Sequence, residues 1–77
     1  MRSNKPDVRN PLLSLPEARA MADLPPEARE ALRKALLAFK AAARARGDEA
    51  WRKHKPPMAA YWKAWAVNAG HAARLLR

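Results

Sequence analysis

The densest set of chemically capable side chains lies between Arg44 and Lys55: Arg44, Arg46, Trp51, Arg52, Lys53, His54 and Lys55. Five cations, a titratable imidazole and an indole fall within twelve residues. Such a mixture suits an anionic polymer, because cations neutralise phosphates while a ring stacks or packs. Upstream, Arg29, Arg33 and Lys40 recur at near-helical spacing toward Arg44, with Leu37 beside them as an apolar contact. These residues form the expected partner-binding set. The plainer alternative is a solvated connection whose Trp51 folds back onto the core, next to a solvated helix face.

Other chemistry has few residues to work with. His54 and His71 are the only histidines, and His71 stands one helical turn from Asn68 as a polar surface pair. No Ser-His-Asp arrangement or supported carboxylate pair can be assembled. With no cysteine, a thiolate zinc site and disulfides are both excluded. Gly47 and Gly70 are the only glycines, so no glycine-rich phosphate loop exists. The expectation is a protein that is not an enzyme, with no catalytic residue, no cofactor, no metal and no small-molecule substrate.

The elements that must position these residues are helical. Val8 and Val67 are the only β-branched residues, which removes the strand signal. The expected fold is all-α, a small three- to four-helix bundle with a flexible basic N-terminal arm. Residues 1–9 are polar, contain Arg2, Lys5, Pro6 and Arg9, and read as that arm; residues 10–77 read as one helical domain. Asn10-Pro11 opens a turn. Ser14 and Glu17 have capping-box spacing and predict a helix over 15–22. Pro26 suits the first position of a second helix over 26–46, with Gly47 as its stop. Asp48 caps a short helix over 48–54, and Pro57 opens the last, over 57–76.

Both long helices carry apolar stripes. In the second helix Ala28, Leu32, Ala35, Leu36, Phe39, Ala42 and Ala43 share a side. In the last, Met58, Tyr61, Trp62, Trp65, Ala69, Ala72, Ala73 and Leu76 do so, and this aromatic stripe reads as the core face. Its alternative is a stacking platform or a lipid-facing belt. Gly70 predicts a bend or the close approach of another helix.

Composition sets the partner class. Sixteen Lys and Arg against seven Asp and Glu leave a charge of +9 on 77 residues, of which +6 falls on residues 44–77. That field favours nucleic acid, a nucleoprotein or an acidic protein surface. No zinc-finger or helix-turn-helix spacing accompanies it. A core this small is marginal alone, so a homodimer or a partner is also expected. The Ala/Arg-rich composition resembles that of small accessory proteins of phages in GC-rich bacteria. That resemblance implies an alternative: an inhibitor or adaptor occupying the acidic face of a host complex, as anti-CRISPR proteins can. A second alternative is a cationic membrane-active helical protein, set back by the lack of an apolar run of about 18 residues. Absence of cysteine and of a visible signal peptide points to the cytoplasm.

Overall fold

The computed structural model describes residues 10–77, so the expected basic arm lies outside the described residues. The protein is all-α, with no strand among the described residues. A 3-10 turn, Pro11–Ser14, leads to α1 (Pro16–Arg19), which tightens into a second 3-10 turn over Ala20–Asp23. Two long helices follow, α2 (Pro26–Arg52) and α3 (Pro56–Leu75), which fold back on each other as an antiparallel hairpin.

The start of the chain uses different caps from those expected. The Asn10 side chain accepts from the Leu12 amide at 3.2 Å and donates through Nδ2 to the His71 carbonyl at 2.9 Å. It is buried, and it ties the first turn to the far end of α3. The capping box does not form. Ser14 Oγ donates to the Pro11 carbonyl at 2.7 Å, and Leu15 caps α1 without a side-chain bond. The early 3-10 turn places Ser14 at its end, where its hydroxyl meets a local carbonyl first.

The separate helix expected over 48–54 is also absent. α2 runs through Gly47 and Asp48 to Arg52 without interruption. Gly47 costs about 1 kcal/mol of helix propensity, but it is buried on the face toward α3. A Cβ there would lie 3.3 Å from the Ala59 carbonyl and 3.0 Å from Lys63 Cγ. The glycine therefore serves close helix approach rather than termination.

The stop comes at Lys53-His54-Lys55. The Lys55 amide donates to the Ala50 carbonyl at 2.9 Å and the His54 amide to the Trp51 carbonyl at 3.1 Å, the paired bonds of a Schellman cap. His54 takes the left-handed position at φ 58°, where glycine is the usual residue. Pro56 then cannot continue α2 and opens α3, one residue before the expected start.

The core is made of alanine. On α2 the residues facing the seam are Leu36, Lys40, Ala43, Gly47 and Ala50; on α3 and its C-terminal cap they are Ala59, Trp62, Ala66, Ala69, Ala73 and Leu76. Both sets alternate spacings of three and four, the seam pattern of paired helices. Ala43, Ala66, Ala69 and Ala73 are each at most 4% exposed, and among the described residues Leu76 is the only larger apolar side chain buried as deeply.

This corrects the expected core. Met58, Tyr61 and Trp65 are 44%, 51% and 44% exposed, and Phe39 is 44% exposed. Ala28, Ala35 and Ala42 also face solvent, and Ala72 is half-buried. Of the expected sets, Ala43, Ala69, Ala73 and Leu76 are buried, and Leu32, Leu36 and Trp62 are half-buried. Small residues on adjoining positions let the two backbones approach closely, and the seam turns toward them, which rotates the large rings to one side.

Candidate functional site

The hairpin leaves two flanks of different chemistry, one on each side of the alanine seam. Because α2 is continuous to Arg52, the residues from Arg44 to Arg52 stand on a rigid helix and not on a turn. At about 100° per residue Arg44 and Arg46 point to opposite sides. The expected single cluster is thereby divided.

One flank is cationic. Arg33, Leu37, Lys40, Arg44 and Trp51 follow one another at spacings of 4, 3, 4 and 7 down α2. Trp51 is 66% exposed, the most exposed of the large apolar side chains among the described residues, so it does not fold back onto the core. It lines a surface groove of about 490 Å³ with Asp48, Arg52, Pro56, Ala60 and Lys63, which joins α2 to α3. Leu37 is 40% exposed and lies beside Lys40, Arg44 and Asp48 in the adjoining hollow.

The acids on this flank are already engaged. Asp48 accepts from Lys63 Nζ across the seam, and that hydrogen bond, with the lysine's charge, holds its carboxyl below the ordinary range. Glu30 accepts two bonds from Arg33 at 2.8 and 3.0 Å, which lower its pKa and raise that of Arg33. Among the described residues Lys40, Arg44 and Arg52 enter no ion pair. Lys40 lies across Gly70, its Nζ 3.2 Å from where a Cβ would stand, so its charge sits over the seam.

Three members of the expected set are placed differently. Arg29 is half-buried; its Nη1 donates to the Ala22 carbonyl at 3.4 Å, and its Nε is buried without a partner. It ties the N-terminal segment to α2 and is not part of the exposed stripe. Lys53 pairs with Glu49 at 2.8 Å, which lowers the pKa of that carboxyl. Arg46 stands 5.6 Å above the Trp62 ring, on the opposite flank from Arg44. His54 and Lys55 are exposed in the connection itself.

The second flank is aromatic. Phe39 of α2 meets Trp65 of α3 edge-on, ring centroids 5.9 Å apart. Tyr61 stands edge-on to both Trp62, at 5.1 Å, and Trp65, at 6.4 Å. Met58 continues this ridge toward the connection, where Arg46, Lys53 and Lys55 border a shallow groove with Trp62. A surface role for these rings was legible only as the alternative to a core stripe. The signal that separates the two readings is the alanine register of 59, 66, 69 and 73 matched by 43, 47 and 50.

Among the described residues no group of three or more His, Asp or Glu is placed to hold a metal ion. No helix among them is long and apolar enough to cross a membrane. No family model matches the chain, and neither a curated protein nor a solved structure is similar to it.

Proposed function

We propose that the protein is a small non-enzymatic binding module that holds nucleic acid, free or in a nucleoprotein, on its cationic flank. The observation that carries this reading is Trp51, 66% exposed, in line with Lys40 and Arg44 and beside Arg52. An exposed indole among unpaired cations supplies what a flexible strand needs: a ring for a base and charges for its phosphates. The stripe from Arg33 to Arg52 runs about 28 Å along the helix, enough for several nucleotides. A rigid helix holds these groups without the ordering cost that a loop would add.

The test is a titration with random single-stranded and duplex DNA at two salt concentrations. Three or four phosphate contacts give a slope of log affinity against log salt of about −3. Changing Lys40, Arg44 and Arg52 to Ala lowers affinity uniformly across sequences and flattens that slope. Trp51→Ala costs about 1–3 kcal/mol of binding when a base stacks on the ring. Binding that survives all four changes refutes the assignment. If the partner is instead an acidic protein face, DNA does not bind, and the same charge changes slow association with that protein.

A further inference from the structure

The groove beside Trp51 carries an acid on a flank whose ligand is a polyanion, and we infer that it is a pocket for one unpaired guanine of a single strand, read by Asp48 and Lys63. This rests on the nucleic-acid reading of the flank and adds the base that the flank selects. Asp48 is the one carboxylate lining the groove among the described residues. Its charge repels phosphate, so the backbone of a strand is kept out of the groove. Its ion pair with Lys63 is exposed and adds little to folding. The hydrogen bond and charge of Lys63 hold the carboxyl below the ordinary range, so at neutral pH it only accepts hydrogen bonds. In a nucleic acid the N–H donors it needs lie on the base edges.

The order of groups selects the base. Lys63 Nζ donates to Asp48 Oδ1, and Oδ2 accepts from no group among the described residues. The pair presents a donor followed by two carboxylate oxygens with lone pairs to spare. The Watson–Crick edge of guanine is the complement in the same order: O6 accepts, then N1–H and N2–H donate. Adenine, cytosine and thymine each offer only one donor group on that edge. Bidentate bonds to a charged acceptor are the stronger kind. Trp51 and Pro56 give the groove apolar walls for a flat ring, and its volume of about 490 Å³ lies within the roughly 300–1,000 Å³ of small-ligand sites. Arg44 and Arg52 stand one turn before and one turn after Asp48, about 6 Å to either side along the axis. Neither enters an ion pair among the described residues, and they take the phosphates flanking the base. In a duplex this guanine edge is already paired with cytosine, so the pocket is filled from a single strand.

Fluorescence anisotropy of the full chain with short labelled oligothymidines tests this. One probe is all thymidine, one carries a single central guanine, and one carries inosine at that place, which keeps the purine ring but lacks the 2-amino donor. The guanine probe is expected to bind about tenfold or more tighter than the all-thymidine probe. Inosine recovers only a small part of that gain, which separates the hydrogen bonds from purine stacking on Trp51. Annealing a complementary strand removes the gain. Asp48→Asn also removes it, while the all-thymidine probe binds as well or better because a negative charge has left the flank. A guanine probe bound no better than the inosine probe, or a guanine gain that survives Asp48→Asn, overturns the pocket and leaves the cationic flank standing. Failure of every probe to bind overturns both readings.

Discussion

Ala66 stands near the middle of α3 at 3% exposure, facing an α2 surface in which Ala43 is 2% exposed and Gly47 has no side chain. Replacing it with leucine adds three carbons where neither helix leaves room. The only relief is to move the axes apart, from the close end of the usual 8–10 Å range toward its far end. That shift strips contact from Ala59, Ala69 and Ala73 as well, because all four share one seam. Overpacking of this kind costs about 1–3 kcal/mol. A core of this size supplies only about 3–5 kcal/mol in total, so the change removes a large part of the stability. At about 2 kcal/mol the midpoint falls by about 8–16 °C for a domain of this length. Thermal unfolding followed by far-ultraviolet circular dichroism measures it. Ala64→Leu is the control: it lies on the exposed side of the same helix, and leucine is close to alanine in helix propensity. An Ala66→Leu midpoint equal to that of the parent, or an Ala64→Leu midpoint lowered as far, would refute the alanine seam.

Further outcomes follow from the same geometry. Trp65→Ala, read by denaturant unfolding at high dilution, should cost about 2 kcal/mol rather than the 3–5 kcal/mol of a core ring, since nearly half of the indole is already in water. His54→Gly should stabilise the protein by about 1 kcal/mol, by relieving a left-handed position at φ 58°; a lower midpoint would show that the imidazole itself holds the connection. Gly70→Ala should stabilise the protein by up to about 1 kcal/mol of helix propensity, read as a higher thermal midpoint, because only the flexible end of Lys40 must move. Gly47→Ala should forfeit that gain against the fixed Ala59 carbonyl, and equal responses at the two glycines would contradict the close approach. Asp48, Glu30 and Glu49 have folded pKa values below their unfolded ones, so their contribution is complete above about pH 5 and is lost as pH falls through the folded values. A pH series of midpoints should therefore decline slightly on the acid side, by little because all three groups are exposed.

Much of the architecture was legible without coordinates. Pro26, the proline pair after Lys55 and the near absence of β-branched residues define the starts of two long helices in an all-α chain, although the first, expected to end at Arg46, runs to Arg52. Ala43, Ala69, Ala73 and Leu76 stand in the expected apolar stripes and are buried, whereas Ala50, Ala59 and Ala66 complete the core from outside those stripes. The exposed position of Leu37 and the polarity of its stripe follow from helical spacing.

What the sequence could not settle is which of two adjoining stripes on α3 turns inward. The aromatic stripe at 58, 61, 62 and 65 and the alanine register at 59, 66, 69 and 73 are neighbours on the same helix, and transfer free energy alone favours burying the rings. Only a partner helix with small residues in matching register reverses that preference, because it lets backbone meet backbone along the whole seam. The same pairing decided that Gly47 continues a helix instead of ending one, which carries Trp51 and Arg52 onto α2. Side-chain type is written in the chain, but the direction a helix faces depends on the surface it meets, and that surface exists only once the hairpin has closed.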